Sequence, residues 1–140
     1  MSFSQVNPEL KKRIKSLSME YSDQPQPELL ITVPNPNQGM DYTIKSTYPE
    51  FTSLCPLAAT QPDYATIIIE YQPNDLIIEL KSEKFYFVAY RCVEIFHEAV
   101  VGNILRDLVN VCHPKSMVVT GDFTTRGGIH TTITAKYEEK

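Results

Sequence analysis

In the segment FTSLCPLAATQPDYATI, residues 51–67, a thiol and a carboxylate sit close together, each beside a proline. Cys55 lies between Leu54 and Pro56, and Asp63 follows Pro62. A thiolate is the strongest nucleophile among ordinary side chains, and it needs a partner that moves protons. Asp63 can be that partner. The two prolines restrict the backbone on which both groups are carried. The same residues also have plainer readings. A cysteine is most often a small buried hydrophobe, and an aspartate after proline is a common turn residue. Placement of both in a segment read as a loop, residues 50–63, favours chemistry, because reactive groups concentrate on loops held by a rigid scaffold.

Further polar residues could complete a site. His97 and Glu98, in FHEAVV, fall near the start of the clearest helical pattern. Glu98 there complements the helix dipole, or it accepts N–H bonds from the edge of a base. Glu79, Lys81, Ser82 and Lys84, in ELKSEKFYF, lie at a strand-to-helix junction. They read either as a solvated charged face or as lysines and a helix N-terminus placed for phosphate. Arg126, in TRGG, could join them. Cys112 completes an apolar stripe and reads as core, and Cys92 reads as structural. Cys55, Cys112, His113 and His97 match no compact metal-ligand spacing, so no metal is expected.

These groups must be positioned by a small scaffold. The chain has 140 residues, 42% hydrophobic and 21% charged, which is the composition of one globular domain. Net charge is −4, which argues against nucleic acid as a direct partner. Three cysteines without a C-x-x-C pair, no membrane-length apolar run and no signal-peptide pattern in MSFSQVNPELKKRIK point to a cytoplasmic protein. Neither G-x-G-x-x-G, nor a P-loop, nor G-x-S-x-G is present.

Asn7 and Pro8 predict the start of a short helix through ELKKRIKSLS. LLITVP, DYTIKSTY, YATIIIEYQ and LIIEL read as strands. A helix is predicted to start at Ser82. A second is predicted over residues 93–112, with Ile95, Phe96, Ala99, Val100, Ile104, Leu105, Leu108, Val111 and Cys112 on its apolar face. The C-terminus reads as a hairpin around RGG, with Ile129, Thr131, Ile133, Ala135 and Tyr137 on one face. The order predicts an α+β domain, an antiparallel sheet with helices on one face.

The motifs YPEFTSLCP, QPDYATI, IIELKSEKFYF, FHEAVVGNILRDL and GDFTTRGGIHT, in this order, resemble the short, single-module form of the NADPH-dependent 7-cyano-7-deazaguanine reductases of queuosine biosynthesis, a tRNA modification pathway. The likeness runs from about Asp41 to Tyr137. It implies the tunnelling fold, with two helices on one face of an antiparallel sheet and homo-oligomeric rings whose active sites lie between subunits. Residues 1–40 would then be an N-terminal extension and 41–140 one catalytic domain.

The resemblance also implies a nitrile oxidoreductase, in which Cys55 forms a covalent thioimide with the substrate. Asp63 would donate protons beside His97, and His97 and Glu98 would read the deazaguanine ring. Ile78, Glu79 and Leu80 would line the base. Lys81, Ser82 and Lys84 would hold NADPH, with Arg126 as a further phosphate contact. Two departures are local: the stretch between Pro56 and Pro62 is longer by one residue than in the family's common form, and Glu83 replaces an apolar residue. The rival readings are an amidinotransferase-like relative acting on tRNA without NADPH, a zinc-dependent GTP cyclohydrolase-like enzyme, and a non-catalytic purine-binding ring. The ELKSEK signature favours the reductase over the first.

Overall fold

The computed structural model describes residues 6–140. Helix α1 spans Pro8–Ser16, and the Asn7 side chain accepts the Glu9 backbone N–H at 2.8 Å. Proline at the first helical position loses no hydrogen bond there. The chain then runs through a single 3-10 turn at Pro27–Leu29 into strand β1, Thr32–Pro34. Leu30 joins the main hydrophobic core, and Ile31 is buried beside it.

Strands β2 (Ile44–Cys55), β3 (Ala58–Gln72), β5 (Ser116–Arg126) and β6 (Ile129–Glu138) form one antiparallel sheet in the order β2-β3-β5-β6. Strand β4, Leu76–Ile78, pairs with β1 in a separate two-stranded sheet. Helices α2 (Leu80–Val88) and α3 (His97–Cys112) connect β4 to β5. Ile67, Ile69 and Tyr71 of β3, with Met117, Val119 and Phe123 of β5, turn inward against Val100, Val101, Ile104, Leu108 and Cys112 of α3. Alternation along the strands and the i, i+4 spacing along the helix make one shared core. Gly121 lets α3 approach β5: a Cβ at this position would lie 2.7 Å from a Val101 methyl. The α+β class and the antiparallel sheet are as expected.

Four local expectations are corrected. Segment 50–63 is a hairpin rather than a loop, since β2 runs to Cys55 and β3 starts at Ala58. Pro62 lies opposite Leu54. Leu54 directs its backbone bonds to the other edge, donating to Val93 O at 2.9 Å and accepting from Ile95 N at 3.1 Å. Those same bonds keep residues 93–95 extended, so α3 begins at His97 and not at residue 93. Phe96 and Ala99 are consequently exposed, and Val101 takes a place in the buried stripe. Helix α2 starts at Leu80, before Ser82, because the Glu79 carboxylate caps it by accepting from Lys81 N and Ser82 N, each at 2.8 Å. Cys92 is exposed and holds nothing together, whereas Cys112 is buried as expected.

Candidate active site

Two backbone features bring distant residues to one place. The β2–β3 hairpin carries Cys55 at the end of one strand and Asp63 in the other, where it is the register partner of Ser53. The bridge between Leu54 and Glu94 then sets Ile95, Phe96, His97 and Glu98 alongside that hairpin. A pocket of about 270 Å³ lies between them, lined by Cys55, Gln61, Asp63, Phe96, His97, Glu98 and Arg126 among others. Cys55 is half-buried and Glu98 is exposed at the first turn of α3. The thiol is therefore reachable from the pocket. The contrast with Cys112 is sharp: burial, with Glu83 nearby, pushes that thiol up to about 12, which leaves it inert.

Asp63 is buried at 7% exposure. Its Oδ2 lies 3.3 Å from His97 Nε2, and its Oδ1 lies 3.6 Å from Arg126 Nε. Burying a carboxylate is costly unless it is paired, and here it has a partner on each side. His97 is itself fixed by stacking on Phe123, with ring centroids 3.9 Å apart and planes within 9°. The imidazole can therefore turn only an edge toward Asp63. Arg126 stands at the last position of β5, before Gly127 and Gly128, whose φ values of 57° and 81° suit residues without a Cβ. That tight turn brings the guanidinium back over the hairpin, where Nη2 donates to the Pro62 carbonyl. A thiol, a carboxylate–imidazole pair, a guanidinium and an exposed carboxylate thus converge on one cleft.

Comparison with known proteins identifies the family. A family model described as QueF-like protein matches residues 62–140. An NADPH-dependent 7-cyano-7-deazaguanine reductase from Chloroherpeton thalassium is 48% identical, covering 81% of this chain and 97% of the relative. One from Nitrosococcus oceani is 49% identical, covering 83% and 88%. A third, from Trichodesmium erythraeum, is 41% identical over 98% of this chain and 97% of the relative. The chain belongs to the 7-cyano-7-deazaguanine reductase family. Among solved structures, the archaeosine synthase QueF-Like in its apo form shares the fold, with a TM-score of 0.63 at 20% identity, covering 74% of this chain and 99% of that one. The tunnelling fold expected from the sequence is thereby shown.

The remaining site residues of this reductase-family chain fall elsewhere. Ile78 is buried in the core, and Leu80 is 67% exposed. Neither lines the Cys55 pocket, and nor does Glu79, whose carboxylate is spent on capping α2. Ser82 is fully buried; its Oγ accepts from Ile31 N at 3.0 Å and donates to Glu79 O at 2.8 Å. That makes it a structural tie between α2 and the segment before β1, and corrects its expected place at a cofactor. Lys81 Nζ donates to the Ile14 and Lys15 carbonyls at 2.9 and 3.3 Å, at the C-terminal end of α1. Lys84 is exposed. Within one chain Arg126 stands with Asp63 and not with these lysines.

Glu83 is buried at 4% exposure, and burial, with Glu79 nearby, raises its pKa to about 7. Sequence reasoning missed Phe123 as the plate beneath His97 and Phe96 as a pocket wall. Phe96 had been read into the helix stripe, and only the delayed helix start exposes it.

Proposed function

We propose that this protein reduces the nitrile of 7-cyano-7-deazaguanine to the primary amine, consuming two NADPH and two protons. The observation that carries this reading is the convergence of Cys55, Asp63, His97 and Glu98 on one pocket. Cys55 Sγ attacks the nitrile carbon. A C–S bond forms, one C–N π bond breaks, and its electron pair goes to nitrogen. The proton for that nitrogen comes from the Asp63–His97 pair, giving a thioimide. Protonation is what allows attack on an otherwise reluctant nitrile. A first hydride at the thioimide carbon sends an electron pair to nitrogen, and that pair re-forms C=N as the C–S bond breaks, so that Cys55 departs as thiolate and an imine remains. A second hydride at the imine carbon, with a proton to nitrogen from the same acid pair, gives the primary amine. Glu98 accepts N–H bonds from the purine-like edge, and Phe96 offers an aromatic face to the ring.

NADPH supplies the two hydrides when bound. The ammonium groups of Lys84 and Lys81 fit its phosphates: Lys84 is exposed, and Lys81 retains one of its three N–H donors beyond its two carbonyl contacts. Ile78, Glu79 and Leu80 stand away from the Cys55 pocket. In a homo-oligomeric ring, the stretch Ile78–Lys84 of a neighbouring subunit would complete the site, and the outer edges of β2, before Leu54, and of β6 would supply the contacts between subunits.

The test is direct. Purified protein mixed with 7-cyano-7-deazaguanine and NADPH is expected to lose NADPH absorbance, and protein with the nitrile alone to gain the nitrile's mass. Cys55→Ala is expected to abolish both signals. Steady NADPH consumption by Cys55→Ala would sink the covalent route. An adduct without NADPH oxidation in the wild type would move the function to amine transfer.

A further inference from the structure

We infer that Arg126 is a positioning residue for the proton-donating carboxylate, rather than a contact for cofactor phosphate. The inference rests on the nitrile-reducing reading above. Three observations carry it. The guanidinium reaches back across the chain, with Nη2 donating to the carbonyl of Pro62, the residue before Asp63. Its Nε lies 3.6 Å from Asp63 Oδ1, just beyond hydrogen-bond length. That Nε is also buried without a hydrogen-bond partner, one of two such side-chain atoms among the described residues.

The other such atom is Ser53 Oγ, on the residue directly opposite Asp63 in the β2–β3 register. One unsatisfied atom thus faces the Asp63 carboxylate, and the other belongs to its register partner. A buried donor without an acceptor is costly, and such cases in native structures call for an explanation. Here the explanation is a clamp. One nitrogen of Arg126 grips the backbone before Asp63, and a second faces its carboxylate. His97 holds the opposite carboxylate oxygen.

The geometry has a consequence for the reaction sequence. Arg126 fixes where Asp63 stands relative to Cys55 before any hydride is delivered. It acts on formation of the C–S bond and its accompanying proton transfer, the step that needs no NADPH. A phosphate contact would act on the opposite half, leaving adduct formation intact and weakening the cofactor.

Rapid mixing of enzyme and 7-cyano-7-deazaguanine without NADPH, read by mass of the adduct over time, separates these roles. Steady-state KM for NADPH is measured beside it. Arg126→Gln is expected to slow adduct formation by at least about tenfold while leaving KM for NADPH within about twofold of wild type. Arg126→Lys keeps the charge but loses the fork, and is expected to recover part of the adduct rate. It also serves if the glutamine variant fails to fold. Lys84→Ala is expected to show the converse pattern, with normal adduct formation and a raised KM for NADPH. Wild-type adduct rates in both Arg126 variants, with a raised KM for NADPH, would overturn the assignment. A wild-type enzyme that forms no adduct would overturn the functional reading itself, and this inference with it.

Discussion

On the proposed reading, Glu98 selects the substrate. It stands exposed in the first turn of α3 at the wall of the Cys55 pocket, where the helix dipole favours negative charge. A guanine-like edge carries adjacent N–H donors, and a carboxylate can accept two of them at once. Hydrogen bonds to a charged group contribute about 1.5–3 kcal/mol each. Glu98→Gln keeps the size, loses the charge and presents a donor where an acceptor is needed. The expected result is a KM for 7-cyano-7-deazaguanine raised by about 10- to 100-fold, with the thiol still reactive toward a small thiol reagent. An unchanged KM would remove Glu98 from recognition. His97 owes its place to a different force, the flat contact with Phe123.

At the scale of elements, α2 is held by polar ties. Glu79 caps its start, Ser82 bonds to Ile31, and Lys81 reaches the C-terminal carbonyls of α1. On the same helix Glu83 is buried, facing Glu79 of the cap, Tyr71 of β3 and Cys112 of α3. Its folded pKa of about 7 lies above the ordinary value of 4.5. Between those two pH values the folded state keeps a proton that the unfolded chain has lost. Stability from this group is therefore fully present below pH 4.5, falls as pH rises to 7, and stays low above it. The loss amounts to ~3 kcal/mol. Glu83→Leu is expected to be more stable than wild type at pH 8, by a margin that shrinks toward pH 5. Urea unfolding at the two pH values checks it, and a margin independent of pH would contradict this role for the carboxyl.

At the scale of the whole molecule, one chain carries the thiol pocket and the lysine stretch in separate places. On the proposed reading, sharing of sites between ring neighbours would account for that separation, and it can be tested by complementation. Cys55→Ala lacks the nucleophile, and the double variant Lys81→Ala, Lys84→Ala lacks the cofactor lysines. Each alone is expected to be nearly inactive. Dissociated and reassembled together in equal amounts, they are expected to regain about a quarter of wild-type activity, because one random neighbour pair in four restores an intact site. No recovery in verified mixed oligomers would place both halves of the site in one subunit. Among the described residues no helix is long and apolar enough to cross a membrane.

The motifs of the sequence by themselves were enough to mark the family. Cys55 beside Pro56, Asp63 after Pro62 and the His97-Glu98 pair are local features, marked by spacing and order. The helix of α3 and the RGG hairpin were legible too, because their signals are periodicity and turn residues within one stretch of chain. What tertiary structure decided were the contacts between stretches. Pairing of β2 with β3 turned an expected loop into a hairpin, and Leu54 took residues 93–95 as a backbone partner, which moved the start of α3 to His97. Ser82 looked like a cofactor ligand by motif, yet its hydroxyl is bonded to Ile31. Arg126 looked like a partner of the lysines, and within one chain it stands over Asp63. Local sequence specifies which groups a chain carries and which element holds them. Which of them meet is set by cross-strand register and by buried polar atoms seeking partners, and those conditions exist only once the chain has folded.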